Sequence, residues 1–157
     1  MNPSQVLLLA FLIGLVAGLR TLTAPAAVAW GANRHWLTLH SPFAWMGSTV
    51  AVIVFALPAL GELIGDKLPS TPNRTALPGL IGRGVSSGLS GAAVAAAGAQ
   101  SIVLGAVCGV AGGIAGAFAG YEVRTRLVRA LRVPDFVIAL LEDAVAIAGG
   151  LLIVSRF

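Results

Sequence analysis

Residues 17–26 read A-G-L-R-T-L-T-A-P-A, which sets an arginine, two threonines and a proline inside an apolar run. From Val6 to Leu19 every residue is Val, Leu, Ile, Phe, Ala or Gly, and the run resumes as A-A-V-A-W after Pro25. What this interruption does depends on the solvent in which the chain folds. Soluble domains are about half apolar and about a quarter charged, whereas this chain is 57% hydrophobic and 10% charged. Such a composition belongs in a bilayer. At about 20 residues per crossing, 157 residues make one transmembrane domain, 1–157, of several spans.

The distribution of charge then sets the spans. The first segment, about 4–30, is broken near Arg20–Pro25, and residues 31–41 form a polar loop. A second span covers about 42–65, followed by an irregular connection rich in Pro, Asn, Gly and Ser. Between Arg83 and Glu122 no residue is charged, a stretch too long for one crossing. The polar A-G-A-Q-S at 97–101 divides it into a helical hairpin of spans 84–99 and 102–121. A fifth span, about 134–155, begins at Pro134, whose missing N–H costs nothing in a first helical turn.

The expected fold is therefore an all-α integral membrane protein of about five transmembrane helices, with a Gly-rich hairpin made by spans three and four. Cytoplasmic loops hold most Lys and Arg. Five crossings put Lys67, Arg74, Arg83, Arg124, Arg126, Arg129 and Arg132 on one face, against Arg34 and Arg156 on the other. That split favours the inner membrane with the N-terminus cytoplasmic and the C-terminus outside. A re-entrant first segment that breaks at Thr21–Pro25 and returns is the alternative, and it moves the N-terminus outside. The run before A-V-A at 27–29 has the outline of a secretory signal, but M-N-P-S-Q carries no basic residue, so retention is expected.

Several patterns carry no chemistry. The net charge of +4 is spread between apolar runs rather than gathered on a phosphate-binding face, so no nucleic-acid partner is expected. Cys108 is the one cysteine, and His35 and His40 share a loop without nearby carboxylates. Neither a disulfide framework nor a metal site follows, and no cofactor is implied. G-V-S-S-G at 84–88 matches the G-x-S-x-G nucleophile pattern, but both histidines precede it in the chain, and the motif needs a strand-to-helix turn.

Three constellations remain. Gly105, Gly109 and Gly113, with Gly112, Gly116 and Gly120, form two ladders of four-residue spacing. Ladders of this kind let helix backbones approach closely in lipid, whether the partner is span three of the same chain or a second subunit, and two of them suggest a homo-oligomer. Glu62, Asp66, Lys67, Arg83, Ser86, Glu122 and Arg124 gather at span ends as a cytoplasmic-face cluster, with Arg83 ahead of a serine-bearing helix start where free N–H groups favour anions. Arg20 lies about 24 Å along its helix, and Glu142 and Asp143 lie about 12 to 14 Å beyond Pro134. On that count they meet at mid-membrane. Pro25 removes a helix hydrogen bond and frees the Thr21 carbonyl, and Thr21 and Thr23 flank the break. Broken helices with mid-membrane polar groups are how secondary transporters bind ions and solutes.

G-L-R-T-L-T-A-P at 18–25, E-L-I-G-D-K-L-P at 62–69, G-R-G at 82–84 before a Ser/Gly/Ala helix and G-Y-E-V-R at 120–124 together resemble an uncharacterised, domain-of-unknown-function family of small bacterial inner-membrane proteins. The resemblance implies location and fold and brings no activity. The residues themselves point first to passage of an unknown small solute or ion across the bilayer, with Arg20, Glu142 and Asp143 as the site. Second comes an accessory subunit that oligomerises through the glycine ladders, and third a membrane enzyme acting on lipid headgroups. Passage predicts a polar cavity at Arg20, an accessory role a dry bundle with its charges paired, and an enzyme a lipid-open groove at Glu62, Asp66 and Arg83.

Overall fold

A computed structural model describes residues 1–65 and 77–157. Among them are six α-helices and no strand: α1 (Pro3–Leu19), α2 (Thr23–Asn33), α3 (Thr49–Gly65), α4 (Leu77–Ala97), α5 (Ile102–Leu131) and α6 (Asp135–Val154), with a short 3-10 turn at Ala44–Gly47 before α3. Of these, α5 and α6 are long and apolar enough to cross a bilayer, while α1 and α3 are apolar but only 17 residues each. That is fewer than the five crossings expected. The first expected span is two helices, and α4 carries Arg83, Ser86, Ser87 and Ser90 among its buried residues.

The first segment is not a kinked span but a hairpin. Along α1, Val16 packs on Gly149 and Gly150 of α6, and Arg20, at the end of α1, reaches Asp143. Along α2 the order reverses, with Ala27 on Gly150 and Gly31 on Val154. The two helices therefore run in opposite directions, and the chain turns back at Arg20–Leu22. This is the re-entrant arrangement. Val6, near the start of α1, packs against Gly98 at the far end of α4, so both termini lie at the end of the bundle opposite the arginine-rich end of α5. A first segment running straight through would have put them at opposite ends.

The position of the turn follows from local chemistry. Asn2 and Gln5 form a capping box at the start of α1, with Pro3 in its first turn, where proline is pre-organised for a helix. Arg20 takes an extended backbone, φ −138° and ψ 110°, which ends α1. Pro25 then falls in the first turn of α2, where a missing N–H breaks nothing. The break at Arg20–Leu22 thus falls within the expected Arg20–Pro25 stretch, just ahead of the proline.

Both glycine ladders are used within the chain. On one side of α5 a Cβ at Gly109 would overlap the Ser87 carbonyl of α4, and Gly105 faces Gly91 and Ala95. Gly113 on that same side takes the Ser87 side chain, and on the other side a Cβ at Gly112 or Gly116 would overlap the carbonyls of Phe11 or Leu15 in α1. Gly14 and Gly18 of α1 complete the contact from their side, and Gly120 is also buried. Two neighbours from the same chain fill what a second subunit was expected to fill, so the ladders give no ground for an oligomer. Glycines on both partners allow this approach because nothing projects between the backbones.

Candidate functional site

The hairpin turn gathers side chains from five helices. Arg20 is fully buried, and one of its terminal nitrogens lies 2.6 Å from Asp143 Oδ1 and 3.9 Å from Glu142 Oε2 on α6. Glu142 is shared, because Arg124 Nη1 of α5 lies 3.6 Å from the same oxygen. Arg124 in turn donates from Nε to Asp135 Oδ1 at 2.8 Å and pairs with the other oxygen of that carboxylate. The result is a continuous chain of charge, Asp143–Arg20–Glu142–Arg124–Asp135, linking the end of α1 to α6 and α5. Burying an arginine is tolerable only with such pairing, because an isolated charge in a low-dielectric interior costs several kcal/mol.

The turn's backbone is satisfied by two other helices. The N–H groups of Thr21 and Leu22 open the α2 end of the hairpin, where a helix has donors without acceptors. Both donate to Glu62 of α3, Thr21 to Oε1 at 2.8 Å and Leu22 to Oε2 at 2.9 Å. A carboxylate across two N–H groups at a helix N-terminus is a charge-assisted contact reinforced by the helix dipole. The Thr21 carbonyl, just outside α2, accepts from the Ser86 hydroxyl of α4. Ser86→Ala is expected to cost about 1–3 kcal/mol, the penalty for stranding a buried acceptor. Ser87→Ala should cost less, since that hydroxyl bonds within its own helix, to Gly84. Unfolding midpoints of the two variants in detergent check this.

Two constellations that the sequence separated by depth are therefore one. Glu62 and Ser86, read as a cytoplasmic-face cluster, bind Thr21, and Arg124 binds Glu142. The level of the turn within the bundle is given by its neighbours. Gly18 packs on Gly116 and Ala117, so the turn is level with the last part of α5 before Glu122 and with Gly82 and Ser86 of α4. It lies towards the end of the bundle opposite the termini.

Other expected residues sit elsewhere. Arg83 is buried and has a partner, and α4 begins at Leu77, so Arg83 lies inside the helix rather than ahead of its start. Glu122 is exposed and pairs with Arg126 one turn along α5 at 2.7 Å, outside the cluster. Thr23 is buried and lines a groove of about 220 Å³ between α2, α3 and α6. Asp66 and Lys67 lie outside the described residues. Asp135 and the Leu22 N–H were not anticipated. The signal for Asp135 was available, as an acid in the first turn of α6 across a tight connection from Arg124.

A second groove, about 230 Å³, opens between α5 and α6. Leu19, Val123, Leu127, Leu141 and Val145 wall it, and Arg124 and Glu142 line it. Glu142 is 9% exposed. It is thus both a member of the buried charge chain and a wall of an otherwise apolar groove.

A family model described as a domain of unknown function, DUF4126, matches residues 7–155. No curated protein and no solved structure matches the chain.

Proposed function

The chain belongs to the DUF4126 family of unknown function, and from that premise we propose that it is a multi-pass protein of the bacterial inner membrane that passes a proton or small cation, with Glu142 as the carboxylate that binds it. The observation that carries this reading is the double position of Glu142, held between Arg20 and Arg124 and also lining the α5–α6 groove. A carboxylate in a charge chain beside a re-entrant break is the arrangement by which discontinuous helices handle ions. The apolar outer surface, including Ile53, Leu57, Ile64, Val85, Val107 and Leu152, suits contact with lipid. By the positive-inside rule, the end bearing Arg126, Arg129 and Arg132 faces the cytoplasm, and both termini face the other side.

The accessory reading is favoured by a different observation. Arg20 is enclosed by its pairing acids, and the two grooves described are walled almost wholly by apolar groups. Purified protein in lipid vesicles distinguishes the two. With an imposed proton or sodium gradient and an internal indicator, ion passage predicts faster decay than in protein-free vesicles, lost in Glu142→Gln. Decay at the protein-free rate for both proteins would leave the charges as a purely structural lock. The enzyme reading is weakened because Glu62 is engaged by backbone N–H groups.

A further inference from the structure

Helix α5 outlasts the bundle it runs through. Its last buried residue is Gly120, yet the helix continues to Leu131. Upstream of that point its outward face is apolar and exposed, with Val107, Ile114 and Phe118, and Tyr121 closes it. At about 100° per residue, Arg129 and Arg132 fall on this same face and Arg126 beside it, and all three are exposed. One face of one helix thus passes from lipid-contacting side chains, through an aromatic ring of the kind that settles at membrane interfaces, to arginines three residues apart.

Residues 121–132 hold four arginines and one acid, Glu122. Arg124 is turned to the acids of α6, and Glu122 is taken by Arg126. Arg129 and Arg132 have neither an acid nor a hydrogen-bond partner among the described residues, so two positive charges stand unbalanced. Their height suits phosphate groups. At 1.5 Å per residue, Arg126, Arg129 and Arg132 stand about 8, 12 and 16 Å beyond Tyr121. The headgroup layer of one leaflet is about 5–7 Å deep, and attraction to it extends about another 8 Å at physiological salt. Every Cα–Cβ bond in a helix leans towards the N-terminus, which for this stretch of α5 is towards the bilayer, so the side chains set out in the direction of the headgroups.

We propose that the outward face of α5 at Arg126, Arg129 and Arg132 is a docking surface for anionic phospholipid headgroups of the cytoplasmic leaflet. A guanidinium can donate two parallel hydrogen bonds to a phosphate. An anionic headgroup balances the two unpaired arginines, whereas the ammonium of a zwitterionic one sets a like charge beside them. The inference rests on the bilayer placement proposed above and not on ion passage.

Native mass spectrometry of the purified protein, titrated in detergent with phosphatidylglycerol or with phosphatidylcholine, tests it. The unaltered protein should bind phosphatidylglycerol more tightly. Arg129→Gln combined with Arg132→Gln should reduce that preference roughly fivefold per arginine, and Arg129→Lys combined with Arg132→Lys should keep most of it. Arg34→Gln combined with Arg156→Gln removes the same charge from the opposite end of the bundle and should leave the preference whole. Equal losses in the two glutamine pairs would overturn the proposal, because net charge alone would then set the preference. Displacement of phosphatidylglycerol by inorganic phosphate or by a short RNA at the same concentration would also overturn it. Equal affinity of the unaltered protein for the two lipids would remove the docking surface alone, and binding of neither lipid would remove the bilayer placement with it.

Discussion

Arg20→Leu is expected to lose about 3–5 kcal/mol of stability, the cost of leaving a buried acid without its counter-ion. Arg20 is fully enclosed and Asp143 is 6% exposed, so water cannot replace the guanidinium. The variant should be recovered poorly, or unfold at much lower detergent or temperature. Arg20→Leu combined with Asp143→Leu should recover most of the loss, because exchanging a buried ion pair for apolar groups of similar size is often neutral or better. Glu142 keeps Arg124 in the double variant. The cycle of two singles and one double measures the coupling directly. A double variant as damaged as Arg20→Leu would mean that the pair is not what holds the hairpin turn.

Gly112→Ala should be nearly as harmful, although it adds one methyl group. That methyl would overlap the Phe11 carbonyl and stand 3.0 Å from the Leu15 nitrogen, both backbone atoms of α1. No rotamer change can relieve it, so α1 must lift off α5. Overpacking a core typically costs about 1–3 kcal/mol, and the larger part of that range applies where backbone must move. Gly112→Leu should prevent the folded state from forming. Gly61→Ala is the control, since nothing lies within 4 Å of its added methyl, and in a helix Ala is favoured over Gly by up to about 1 kcal/mol. Unfolding midpoints should fall for Gly112→Ala and hold or rise for Gly61→Ala. Equal changes in the two would show that the α1–α5 approach does not set the effect.

How much of this was written in the sequence differs from one feature to the next. The Gly98–Ser101 connection was legible because a polar patch interrupts an uncharged stretch too long for one helix. The end of α5 was not. Hydropathy stops at Tyr121, yet the helix continues to Leu131, supported by the Glu122–Arg126 pair at helical spacing. Loss of apolar character marks where lipid contact can end, and a helix can pass that point. The pairing of Arg20 with Glu142 and Asp143 was legible because ionisable groups in apolar helices must find each other. The break near Arg20–Pro25 was legible, with α1 ending at Leu19 and α2 beginning at Thr23, but whether the chain goes on or turns back after Leu22 depends on α6, more than a hundred residues away. Glu62 and Ser86 were grouped from the sequence, and both meet Thr21, but how Glu62 does so was not legible. Its partners are backbone N–H groups, which leave no trace in side-chain chemistry.

The turning back of α1 and α2 at Arg20–Leu22 is what merges the charges into one site, and its sidedness can be measured in membranes. On a Cys108→Ala background, single cysteines at Asn2, Leu131 and Ser155 are labelled in oriented vesicles with a thiol reagent that cannot cross the bilayer. The hairpin requires Asn2 and Ser155 to react from one side and Leu131 from the other. Reaction of Asn2 and Leu131 from the same side would show a first segment that runs straight through, and would contradict the merged site.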